Sequence, residues 1–159
     1  KLEKLHLTNT AVTDAGLVHL KGLTNLEELE LRGCRQITDA GLVHLKGLTK
    51  LKLLNLQGCT KITDAGLVHL KGLTKLETLF LYRTKVTGAG LVHLKGLSNL
   101  KVLWVVNTKI TDAGLDRLAG LTSLEDLRVT RTAVTEEGAK RLQEQVPGIV
   151  IQLKYIEGH

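Results

Sequence analysis

The chain has 159 residues, 43% of them apolar but only 3% aromatic, with a single proline and a formal charge of +6. A core of any size must therefore be built from leucine and valine. No apolar run approaches the roughly 18 residues needed to cross a bilayer, and two cysteines are too few for a disulfide scaffold. No signal-peptide pattern is visible; a chain that starts at Lys1 without a methionine reads as a fragment, from which export is not judged.

Self-similarity governs the rest. Taking Leu2 as the first residue of a unit, equivalent leucines are Leu26, Leu51, Leu76, Leu100 and Leu124, spaced by 24 or 25 residues. Each unit opens with L-x-x-L-x-L, as in Leu2, Leu5 and Leu7 or Leu26, Leu29 and Leu31. The last two leucines alternate with period two, which predicts a short strand with one face inward. The second half of each unit changes period. In ITDAGLVHLKGLT, the stretch from Ile37 to Thr49, Leu42, Leu45 and Leu48 recur every three residues and form one stripe of a helical or near-helical segment. Thr38 or Asp39 supplies an N-cap oxygen and favourable charge, Lys46 lies near the helix end, and Gly47 is expected to stop it in a left-handed conformation. Near-copies of the stretch begin at Val12, Ile62, Val86 and Ile110, and a divergent relative at Val134.

The last unit departs from the others. Glu136, Glu137, Lys140, Arg141, Gln143 and Glu144 make a polar outer helix, followed by Pro147-Gly148 and a final strand near Ile149 to Leu153 that reads as a C-terminal cap. The first unit has no comparable cap. One solenoid of six units plus a capping strand is expected over residues 1–156, and Glu157, Gly158 and His159 read as a tag remnant. One unit cannot fold alone: about seven apolar side chains at roughly 1.5–3 kcal/mol each face about 1–2 kcal/mol of backbone entropy for each residue.

The units L-x-x-L-x-L-x-x-(C/T)-x-(I/V)-T-D-A-G-L-x-x-L-x-x-L-T resemble leucine-rich repeats, closest to the cysteine-containing class known from F-box substrate adaptors and to its shorter bacterial relatives. The resemblance covers nearly the whole chain. It implies an α/β fold, a right-handed solenoid shaped as an arc, with a parallel concave β-sheet and short convex helices. It also implies that the position after each strand, held by Thr10, Cys34, Cys59, Thr84, Thr108 and Thr132, points inward and serves backbone groups at the tight turn. The class's second cysteine is missing and no F-box is present, so the adaptor role is not implied.

Cys34 and Cys59 should stack in adjacent units about 5 Å apart, as a reduced structural pair; reduced cysteines favour the cytoplasm. His19, His44, His69 and His93 form a column on the helices. Neighbouring helices about 8–10 Å apart send such side chains out in parallel, whereas zinc ligands must converge, so no metal or cofactor is expected. Ser98 and Ser123 lie in turns, with no G-x-S-x-G and no converging acid and base, so no enzymatic activity is expected.

Variation concentrates on the outward strand positions. Three columns read Lys4, Glu28, Leu53, Thr78, Val102, Asp126; then His6, Glu30, Asn55, Phe80, Trp104, Arg128; then Thr8, Arg32, Gln57, Tyr82, Val106, Thr130. Phe80, Tyr82 and Trp104, joined by Leu53, Val102 and Val106, should form one apolar patch rimmed by Arg83, Arg128, Arg131, Glu77 and Asp126. An aromatic centre inside a charged rim is the pattern of a protein-binding hot spot. Seven basic and seven acidic residues balance on this face, so neither nucleic acid nor a membrane is the expected partner. A protein or peptide ligand is expected, the alternative being a structural spacer or self-association segment of a longer protein, with the uncapped first unit and the aromatic patch serving self-association.

Overall fold

The computed structural model describes residues 1–154. Tyr155 and Ile156 of the expected domain, and the tag-like Glu157 to His159, lie outside the described residues. Seven three-residue strands form one parallel sheet in sequence order: β1 (Lys4–His6), β2 (Glu28–Glu30), β3 (Leu53–Asn55), β4 (Thr78–Phe80), β5 (Val102–Trp104), β6 (Asp126–Arg128) and β7 (Val150–Gln152). The central residue of each strand points inward and its two neighbours outward, so Leu29, Leu54, Leu79, Leu103 and Leu127 are buried in one continuous row. The other core wall is helical. A single α-turn opens it in α1 (Asp14–Leu17), α2 (Asp39–Leu42), α3 (Asp64–Leu67) and α4 (Asp112–Asp116), and the first three continue as 3-10 turns to Leu20, Leu45 and Leu70. The fourth unit is 3-10 throughout, over Gly88–Leu94, and the last carries the ten-residue α5 (Glu136–Gln145). The chain is a leucine-cored repeat solenoid of two layers. No helix among the described residues is long and apolar enough to cross a membrane.

Burial is complete in the middle units and incomplete in the first. Leu5, Leu7, Val12 and Leu23 are only partly buried and Leu2 is 46% exposed, because each unit's apolar edge is covered by the unit before it.

The helix starts are tied from unit to unit. Thr38 donates its backbone N–H to Asp14 Oδ1 at 2.8 Å and its hydroxyl to Asp14 Oδ2 at 2.6 Å. The same pair of bonds joins Thr63 to Asp39, Thr87 to Asp64 and Thr135 to Asp112. The sequence reading assigned these aspartates to helix-end electrostatics on an outer surface; they are also the rungs of an inter-unit ladder. The Thr135 hydroxyl and N–H hold the Asp112 carboxyl below its ordinary range. The ladder breaks where Gly88 replaces aspartate: Thr111 makes no side-chain cap bond. There the backbones close in, and a Cβ built on Gly114 would lie 2.6 Å from Gly88 Cα.

Gly47 does not carry the expected left-handed stop, since the glycines with positive φ are Gly33, Gly58 and Gly148. The left-handed position instead follows each strand, at Asn9, Gly33, Gly58, Arg83, Asn107 and Arg131, with φ between 54° and 74°. The chain must turn sharply there while its N–H still reaches the next strand: Asn9 N–H donates to Arg32 O at 2.7 Å and Arg83 N–H to Val106 O at 3.1 Å.

The next turn position holds the threonines and cysteines. Thr10, Thr84, Thr108 and Thr132 donate to the carbonyl three residues back, at 2.5–2.8 Å. Cys34 and Cys59 reach further, donating to Leu7 O and Leu31 O of the preceding unit at 3.0 and 3.2 Å. Both thiols are free and buried, and burial pushes Cys59 up to about 12.

Candidate protein-binding face

Strand alternation places Phe80, Trp104 and Arg128 side by side on β4, β5 and β6. The Phe80 and Trp104 ring centroids are 4.3 Å apart, and the Arg128 guanidinium sits over the other side of Trp104, 3.9 Å from its centroid. Trp104 Nε1–H donates to Asp126 Oδ2 at 3.1 Å, and Arg128 Nε lies 3.4 Å from the same oxygen. An aromatic pair contributes about 0.5–1.5 kcal/mol beyond its buried area and a cation over a ring about 0.5–1 kcal/mol at exposed sites. The indole is therefore fixed between two partners and hydrogen-bonded before anything binds, which lowers the ordering cost of association.

The other patch residues are placed unevenly. Val102 is half-buried on β5 beside the stack, and Tyr82 and Val106 lie two residues beyond the strand ends, with the Arg83 guanidinium 5.9 Å from the Tyr82 ring centroid. Leu53 is separated from Val102 by Thr78 of the intervening strand, so it does not join the aromatic group directly. Asn55 and Thr130, both in outward columns, are 6% and 4% exposed. Asn55 Oδ1 accepts from Gln57 N–H at 2.9 Å, so it serves the turn rather than a partner.

Charge on this face is balanced in number but segregated in space. At the strand starts the lysines are engaged: Lys4 with Glu28 at 2.9 Å, Lys52 with Glu27 at 2.9 Å and Lys101 with Glu77 at 3.0 Å, while His6 also meets Glu28. These contacts raise the three lysines and lower Glu27 and Glu28. Beyond the strand ends the charges are arginines. A hollow of about 490 Å³ opens there, lined by Arg32, Gln57, Tyr82, Arg83, Trp104, Val106, Arg128, Thr130 and Arg131. Arg128 also borders a second hollow of about 470 Å³ with Val102, Asp126 and β7. Sequence reasoning brought Tyr82, Trp104 and three of these arginines together but left out Arg32, which sits in the same column as Tyr82.

The helical face offers less. Among the described residues no three His, Cys, Asp or Glu side chains gather as metal ligands. His44, His69 and His93 each bury an Nδ1 without a hydrogen-bond partner, and burial followed by the nearby Lys46 lowers the His69 pKa. Val18, Val43, Val68 and Val92 form an exposed column beside them. Ser123 donates its hydroxyl to Leu100 O at 2.7 Å, a turn contact.

Comparison with known proteins agrees with this architecture. A family model described as leucine-rich repeats in two copies matches residues 1–47 and again 24–69. No curated protein sequence matches the chain. Among solved structures, internalin C2 from Listeria monocytogenes is similar at 28% identity and a TM-score of 0.78, over 98% of this chain and 65% of that one. An internalin (inlF) from the same species matches at 24% identity and a TM-score of 0.67, covering 97% of this chain and 48% of its own. A plant peptide hormone receptor, RGFR1 in complex with RGF2, shares the fold at 12% identity and a TM-score of 0.59, over 87% of this chain and 22% of the receptor. The chain thus spans less than two thirds of each of these relatives. With seven parallel strands, a leucine core repeated every 24 or 25 residues and these matches, the chain folds as a leucine-rich-repeat solenoid and is similar to a bacterial internalin.

Proposed function

We propose that the chain is a protein-interaction module that binds a protein or peptide through the outward face of its sheet, with Trp104 as the central anchor. The observation that carries this is the stack of Phe80, Trp104 and Arg128, preassembled on three adjacent strands and open to two hollows. Interface hot spots are enriched in tryptophan, tyrosine and arginine held in packed surroundings, and this group combines all three types with Tyr82 beside it. The scaffold beneath is nearly invariant from unit to unit, whereas the outward columns change at every strand. Such an arrangement fixes the geometry of the face and leaves its chemistry free to specify one partner.

The test is a selection from a displayed peptide library on the intact chain, followed by calorimetry on the enriched peptides. Tyr82→Ala combined with Trp104→Ala should weaken binding more than about 30-fold, since two hot-spot truncations cost at least about 2 kcal/mol. The melting temperature should fall by several degrees, from loss of the Trp104 contacts with Phe80, Arg128 and Asp126, while the transition stays cooperative because neither side chain belongs to the leucine core. Binding that survives in this variant but is lost on Val43→Asp and Val68→Asp would move the site to the helical face.

A further inference from the structure

We infer that the hollow beyond the strand ends selects an acidic peptide segment, holding carboxylate side chains against Arg32, Arg83, Arg128 and Arg131 while an adjacent apolar side chain rests against Tyr82 and the edge of Trp104. The inference rests on the reading of the sheet face as the binding surface and adds the chemistry of the ligand. Four guanidinium groups line this hollow, and no carboxylate is among its lining residues. The lysines of the same face are already engaged by Glu27, Glu28 and Glu77, but neither Arg32 nor Arg83 is paired with a carboxylate among the described residues. Guanidinium forks match carboxylates in a bidentate geometry that a lysine cannot reproduce.

Two of these arginines occupy backbone positions that work against them. Arg83 and Arg131 have φ of 56°, at the turn position that four other units fill with Asn9, Gly33, Gly58 and Asn107. Asparagine and glycine enter the left-handed region readily, and a long side chain does so at a conformational cost. Departures of this sort collect where a side chain serves a ligand. Both line the same hollow, in the fourth and sixth units, on either side of Val106 of the fifth.

The surroundings favour a peptide over a nucleic acid. Glu27, Glu28, Glu77 and Glu125 lie at or just before the strand starts, a strand's length of about 10 Å or more from Arg32, Arg83 and Arg131, while Asp126 already meets Arg128 at 3.4 Å. A polyanion laid along the sheet would meet them, whereas a short acidic segment confined to the arginine side would not. A residue following that segment would then face the carboxylate side, which orients a chain of mixed charge across the sheet.

The probe is a fluorescently labelled peptide, Glu-Glu-Phe-Glu-Glu with both ends blocked, compared with the same peptide carrying glutamine for each glutamate and with an oligothymidylate strand. Anisotropy titrations on the intact chain should give at least about tenfold tighter binding for the acidic peptide than for its glutamine counterpart, weakening as salt rises. Arg83→Asn with Arg131→Asn suits the turn, as Asn9 and Asn107 show, so it should remain folded while the preference falls to about twofold or less. Lys46→Gln on the helical side should change nothing. Equal binding of the two peptides, absence of binding by both, a preference that survives the double asparagine variant, or tighter binding of oligothymidylate would each overturn the inference. If both peptides bind equally and Trp104→Ala abolishes both, the sheet face stands as the binding surface and only the selection for acid falls.

Discussion

Replacing Thr63 with alanine removes two bonds at one helix start, and the chain carries its own control for that change. The Thr63 hydroxyl donates to Asp39 Oδ2 at 2.5 Å and accepts from Ala65 N–H at 3.3 Å, linking the α2 and α3 units and capping α3. A bond to a carboxylate contributes about 1.5–3 kcal/mol and a threonine cap about 1 kcal/mol. Both groups are half-buried, where water replaces part of each, so we expect a loss of about 2 kcal/mol. Thr111 occupies the same place one unit after Gly88, with neither an aspartate rung nor a side-chain cap bond, and Thr111→Ala should cost less than about 0.5 kcal/mol. At about 2–4 °C per kcal/mol for a chain of this length, the two variants should differ by about 3–6 °C in thermal melts followed by circular dichroism. Asp39→Ala, which also leaves the Thr63 N–H without its acceptor, should melt no higher than Thr63→Ala. Equal melting of Thr63→Ala and Thr111→Ala would refute the ladder as a source of stability.

Three further outcomes are expected. Arg83→Asn should raise stability by roughly 0.5–1 kcal/mol in urea titrations, because asparagine enters the left-handed turn more readily than arginine; a loss of stability would mean that the arginine holds the turn. Alkylation of Cys59 at pH 8 should be at least about 100-fold slower in the native chain than in urea, because burial excludes the reagent and holds the thiol at about 12; two thiols should titrate once the chain is unfolded. The His69 pKa lies below its ordinary 6.5 because burial, and then Lys46, disfavour the charged ring. The unfolded chain therefore takes up the proton first: the contribution of neutral His69 is complete above pH 6.5 and is lost as pH falls from there through the folded value. His69→Gln should flatten the fall in melting temperature between pH 7 and pH 5, and an unchanged slope would count against this assignment.

The repeat architecture was legible because its signals are local. Leucines two apart mark a strand and leucines three apart mark a helical stripe, and both patterns sit inside one unit. Phe80 and Trp104 could be paired for a related reason, since equivalent positions of adjacent units become neighbours once the strands align in register. The Asp–Thr rungs were not legible in that way. Their partners lie 23 or 24 residues apart, and nothing within ITDAG separates an aspartate serving its own helix from one serving the next. The left-handed turn column was hidden by its chemistry, since Asn, Gly and Arg share no side-chain property and only the backbone unites them. That column also brings Arg83 and Arg131 to the same hollow as Arg32, so counting charges showed a neutral face where the structure has two oppositely charged edges. Asn55 and Thr130 followed the outward alternation and are nonetheless buried, because alternation fixes the direction of a side chain and its neighbours fix its exposure.

Trp104 is the only tryptophan in the chain, so its indole N–H gives one unambiguous resonance. Titrating a selected peptide into isotopically labelled protein tests the central claim most directly. The account predicts that the Trp104 indole signal and the amides of Phe80 and Arg128 shift together and saturate at the calorimetric affinity. Shifts confined to Val43, His44, Val68 and His69, with the indole signal unmoved, would contradict it and place binding on the helical side.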